Sequence, residues 1–85
     1  MENIGKMIEN EVLKQGRSIP WLAEQLNCDR TNIYKIFKRE NIDAELLLRL
    51  SNILQCNFFS YYIRRITFVN NSQQYVAKPS QKETY

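Results

Sequence analysis

Between Asp29 and Arg39 the chain reads "DRTNIYKIFKR", which holds four basic residues, one acid and the hydrogen-bonding side chains of Thr31, Asn32 and Tyr34. Its local charge of +3 equals the net charge of the whole chain. Cations of this kind neutralise phosphates, while hydroxyl and amide groups bond either phosphates or base edges. On a helix turning about 100° per residue, Ile33, Ile36 and Phe37 fall on one side. Thr31, Lys35 and Lys38 fall on the other, flanked by Tyr34. Asn32 lies between, toward solvent or the next helix. The one acid, Asp29, stands at the helix start, where capping and the helix dipole account for it. A face that donates and carries no carboxylate suits the major groove of DNA. Taken by itself, it also suits an ordinary solvated helix surface.

The chain offers little other chemistry. His is absent, and Cys28 and Cys56 alone do not make a common structural zinc site. There is no Gly-rich phosphate loop and no nucleophile with an evident base. The carboxylates are scattered or sit at helix starts. The expectation is therefore a protein that is not an enzyme and needs no metal or cofactor. Apolar residues make up 44% and charged residues 25%, the balance of a soluble globular protein. The pI near 9.0 is only mildly basic, so overall charge is weak support for a nucleic-acid partner. No apolar run approaches the ~18 residues of a membrane span, and "MENIGKMIENEVLKQG" lacks a signal-peptide pattern. A cytoplasmic setting follows, with both cysteines reduced and buried as small hydrophobes.

The elements that must position the basic face read as helices. Eighty-five residues allow one domain, and two Gly and two Pro leave room only for short connections. Ile4, Met7, Ile8 and Val12 recur at helical spacing, so a first helix runs from about Asn3 to Gln15 and stops at Gly16. Ser18 caps a second helix with Pro20 in its first turn, and Leu22, Ala23 and Leu26 form its inner face. Trp21 covers the core. Asn27 tolerates the left-handed conformation and ends that helix. Asp29 caps the third helix. "RENID" is a polar connection, and Asp43 caps a fourth helix with Leu46, Leu47, Leu50, Ile53 and Leu54 on its core face. Asn57 caps a fifth, "FFSYYIRRI".

With Ile19 as its first place, the stretch from Ile19 to Ile36 resembles the helix-turn-helix of the lambda-repressor and Cro-like family, also called the XRE family. That motif has apolar residues at its fourth, eighth, tenth, fifteenth and eighteenth places, here Leu22, Leu26, Cys28, Ile33 and Ile36. Ala23 stands at the fifth, which requires a small residue. Asn27 replaces the usual Gly at the ninth, and Ile19 replaces a frequent Gln at the first. "NIDAELLLRLSNILQCNFFSYY" looks like the family's fourth helix, link and start of its fifth. The resemblance implies an all-α, compact bundle of five short helices. It also implies a transcriptional regulator that places a recognition helix, about Asp29–Lys38, in the major groove of double-stranded DNA. Carried over residue by residue, it makes Arg30, Thr31, Asn32, Tyr34, Lys35, Lys38 and Arg39 candidates for DNA contact. Lys35 is the first choice for base reading, and Lys38 and Arg39 suit phosphate. Arg17 and Ser18, where the second helix begins, suit the DNA backbone.

Five helices in this length cannot bury every aromatic of "NFFSYYIRRI". Members of the family often pair through the fifth helix, which makes Phe58, Tyr62 and Ile66 candidates for a homodimer contact. The alternative is that Phe59, Tyr62 and Ile63 close the domain's own core. A second function class also fits: a protein-interaction module of the same fold, such as an antitoxin-like partner or an adaptor. The expected domain covers residues 1–68, and residues 69–85 are expected to form a flexible polar tail.

Overall fold

The first helix ends where backbone chemistry requires it. Gly16 takes φ +70, the Arg17 N–H donates to the Val12 carbonyl at 3.1 Å, and the Gly16 N–H donates to Leu13 at 3.0 Å. This paired closure satisfies carbonyls that the helix itself leaves open. The same pattern recurs after the second helix at Asn27, which takes φ 57 while the Cys28 N–H bonds the Ala23 carbonyl at 2.9 Å. The computed structural model describes residues 3–68. Its elements are α1 (Ile4–Lys14), α2 (Ile19–Leu26), α3 (Arg30–Phe37), α4 (Ala44–Leu54) and α5 (Phe59–Ile63). The described chain is thus an all-α bundle. None of its helices is long and apolar enough to cross a membrane. The expected tail lies outside the described residues.

Helix starts follow the sequence with one correction. The Asn3 and Asp43 side chains accept from the Lys6 and Leu46 N–H groups at 2.9 and 2.8 Å, and Ser18 accepts from Trp21 at 3.1 Å. Asp29 does occupy the start of α3, but its side chain makes no capping bond. The Asn32 N–H that it could have bound goes instead to Asp29's own backbone carbonyl at 3.0 Å. α5 starts as the sequence reads: Phe58 is already helical in φ and ψ, and the Asn57 side chain accepts from the Phe59 N–H at 3.0 Å, the bond of a capping residue. It ends at Ile63, where bonds three residues apart, from Arg65 to Tyr62 and from Ile66 to Ile63, tighten the backbone into turns.

One core joins all five helices: Ile4, Ile8, Val12, Leu22, Leu26, Ile33, Leu47, Leu50, Leu54 and Phe58 are buried, with Ala23, Ile36 and Phe37. Each large apolar side chain here contributes about 1.5–3 kcal/mol over leaving it in water. Leu46 and Ile53 pack against this core only partly. Ile42, in the connection that reads as polar, is buried and pins the α3–α4 link to the core. Phe58 is 1% exposed, so it belongs to the core and offers no partner contact. Both cysteines are half-buried and free, short of the full burial expected of them.

Gly5 fixes how α1 meets α3. Its N–H donates to the Arg39 carbonyl at 3.1 Å, and a Cβ placed on it would meet the carbonyl oxygens of Ile36, Phe37 and Arg39 at 2.5–2.7 Å. The N-terminal end of α1 therefore sits directly on the C-terminal carbonyls of α3, an arrangement favourable to both helix dipoles. Gln15 closes the far end by donating from Nε2 to the Leu54 carbonyl at 2.7 Å.

Candidate nucleic-acid interface

α3 buries one side and opens the other. Ile33, Ile36 and Phe37 pack inward, while Arg30, Thr31, Asn32, Tyr34 and Lys35 on the helix, and Lys38 and Arg39 just after it, are exposed. The link from α2 to α3 is three residues, Asn27 to Asp29, and each has a backbone or packing task. Asn27 turns the chain, half-buried Cys28 packs against the core, and Asp29 opens the new helix in extended conformation. Ala23 is 5% exposed and lies in the core with Leu22 and Leu26. Such a link gives α3 one fixed orientation on α2, with α1 packed against α3 as well.

The open face is cationic and unneutralised. Among the described residues, neither Arg30, Lys35, Lys38 nor Arg39 pairs with a carboxylate; the ion pair that does form, Lys6 with Glu9 at 3.3 Å, lies on α1. Tyr34 leans edge-on against Phe37, with ring centroids 6.5 Å apart, and remains 54% exposed. It therefore has a fixed base in the core and a free surface above it.

The start of α2 carries the other expected contacts. Ser18 is exposed and holds the Trp21 N–H through its Oγ. Arg17 is exposed, with its guanidinium 4.2 Å above the centroid of the Trp21 ring. Trp21 is half-buried and packs against the core, as expected, and it also steadies Arg17; such a contact contributes about 0.5–1 kcal/mol at an exposed site.

Lys35, Asn32 and Arg39 meet Arg49 of α4 around a shared groove. Asn32 thus faces the next helix, one of its two expected directions. Arg49 is a residue that sequence reasoning passed over. It follows Leu46 by three residues and shares its side of α4, but only the packing of α3 brings that side to Lys35 and Arg39.

Of the residues expected at a partner contact, Tyr62 is half-buried and Ile66 is 59% exposed. Ile63, at 58%, and Phe68, at 76%, join Ile66 on the surface. The core closure expected of Ile63 is instead made by Phe58, with Phe59, Tyr61 and Tyr62 packed partly against it.

Fold and surface define a small all-α domain with one cationic helix face and an apolar patch around its last helix. The chain matches no known family model, no curated protein and no solved structure.

Proposed function

We propose that this protein is a sequence-specific DNA-binding transcriptional regulator of the lambda-repressor and Cro-like helix-turn-helix type, acting as a homodimer. The observation that carries the proposal is the open face of α3: a donor-rich surface without a carboxylate partner, on a helix held rigidly by the Asn27–Asp29 link. In this reading α3 lies in the major groove. Thr31 and Lys35, with Tyr34 beside them, meet base edges, and Arg30, Lys38 and Arg39 meet phosphate. Arg17, steadied on Trp21, and Ser18 hold the adjoining backbone. Regulation is then occupancy of a promoter, and a compact dimer would span half-sites ~34 Å apart. A cytoplasmic location belongs to the same reading, supported by two free thiols.

Selection from random duplex pools tests this. A two-fold sequence should emerge, and Lys35→Ala combined with Thr31→Ala should abolish the preference. Lys38→Ala should weaken binding to every sequence and lower the slope of log K against log salt by about one. Recovery of no sequence from the pools, with binding indifferent to Lys35 and Thr31, would sink the proposal.

The exposed apolar residues Leu48, Ile63, Ile66 and Phe68 support a second reading, a protein-interaction module of antitoxin or adaptor type. A stable heterologous complex without salt-sensitive retention on DNA would favour it.

A further inference from the structure

One groove beside the open face of α3 combines an apolar floor with three cations. It lies between α3 and α4 and encloses about 340 Å³. Buried Leu26 and Ile36, with half-buried Cys28 and Leu46, form its floor. Exposed Lys35, Arg39 and Arg49 stand around it, together with Asn32, and no carboxylate lines it. Arg49 donates from Nη2 to the Leu26 carbonyl at 3.3 Å, which anchors its guanidinium at the groove wall. The remaining guanidinium N–H groups have donors to spare. Among the described residues none of the three cations has a carboxylate within ion-pair distance.

Three like charges around one hollow repel each other, and an anion between them removes that repulsion. Inorganic phosphate would serve the cations and leave the apolar floor wet. A neutral hydrocarbon would serve the floor and leave the cations without a partner. Small-ligand sites combine an apolar lining with a few placed polar groups, and they start at about 300 Å³. We infer that this groove binds a small amphipathic anion, a medium-chain or aryl carboxylate. Its head lies against Lys35, Arg39 and Arg49, and its hydrocarbon lies on Leu26, Ile36 and Leu46. Lys35 and Arg39 also belong to the face assigned to DNA, so occupancy lowers DNA affinity; this consequence alone rests on the DNA reading.

Amide NMR of the full chain, titrated without DNA, tests the site. Octanoate should give saturable shifts at Cys28, Asn32, Lys35 and Arg49, and should bind at least about tenfold more tightly than acetate or inorganic phosphate. Arg39→Gln and Arg49→Gln should each weaken octanoate by about tenfold. The Arg39 side chain makes no contact on which folding depends, so that variant keeps the test valid if Arg49→Gln melts early. Equal binding of phosphate and octanoate would reduce the groove to an anion patch and overturn the inference. So would octanoate shifts centred on α5, or binding undiminished by Arg39→Gln. Failure here leaves the DNA reading intact, and failure of duplex selection leaves this titration standing.

Discussion

At the scale of the residue, the two glycines separate two physical reasons for the same amino acid. Gly5 is needed for space, because a Cβ would strike three backbone carbonyls that cannot move aside cheaply. Alanine raises helix propensity by about 1 kcal/mol, but a clash with three backbone carbonyls belongs at the upper end of overpacking costs, about 2–3 kcal/mol, so steric conflict wins. Gly5→Ala should therefore destabilise by about 1–2 kcal/mol and lower Tm by about 5–12 °C in thermal denaturation. Gly16 is needed for its φ of +70, with open space around it. Gly16→Ala should cost about 1 kcal/mol from backbone strain alone. An unchanged melting point for Gly5→Ala would mean that α1 and α3 are not in backbone contact. Cys56 offers a test in pH. Burial first, then the neighbouring Glu11 carboxylate and its hydrogen bond to the thiol, push the pKa up, against a smaller opposing pull from Lys14. The folded state thus favours the protonated thiol. Its contribution is complete below the thiol's unfolded pKa and is lost as pH rises through the higher folded value. Alkylation of Cys56 by iodoacetamide should be slower than that of an unfolded-chain thiol at pH 8, and should accelerate only at more alkaline pH. An alkylation rate at pH 8 equal to that of the denatured protein would contradict this.

At the scale of the element, the helix starts rank themselves. Ser18 and Asp43 each hold an N–H by a side-chain bond, and Asp29 does not. Ser18→Ala and Asp43→Ala should each cost about 1 kcal/mol in urea denaturation, while Asp29→Ala should cost only a few tenths, through the helix dipole. Equal losses at all three positions would show that Asp29 does cap in solution. These elements were largely legible in the sequence, because apolar spacing and capping chemistry are local. Asn27 as the stop of α2 and Ile33, Ile36 and Phe37 as the inner side of α3 needed no knowledge of the rest of the chain. What escaped was decided by contact between distant segments. Gly5 reads as a flaw inside a helix until α3 is placed against it. Ile42 reads as one apolar residue in a polar link until the core below it exists. Arg49 reads as a surface charge until α3 brings Lys35 and Arg39 to the same groove. Gln55, in left-handed conformation at φ 53 after α4, carries no signal of its type, since Gln has no special tolerance for that region.

At the scale of the whole molecule, the question is what the last helix does once the core is closed. Phe58 completes the core, and beyond it the chain exposes Ile63, Ile66 and Phe68. Phe58 and Ile66 both read from sequence as contacts to a second copy, because nothing local distinguishes a core apolar side chain from an interface one. Their substitutions should now differ in kind. Phe58→Ala removes a fully buried ring and should cost about 3–5 kcal/mol, a large share of what so small a domain has to lose, so it should unfold the monomer. Ile66→Glu with Ile63→Glu changes exposed positions, which as a rule alters monomer stability by no more than about 0.5 kcal/mol. The double variant should keep its helical circular dichroism yet sediment as a monomer under conditions in which the parent forms the proposed dimer. Its affinity for a two-fold duplex should fall toward that for a half-site, because two linked α3 helices bind together only when the dimer holds them. A parent chain that is monomeric at micromolar concentration would overturn the proposed homodimer, and a double variant that still pairs would move its contact away from these residues; either result leaves the open face of α3 as it is.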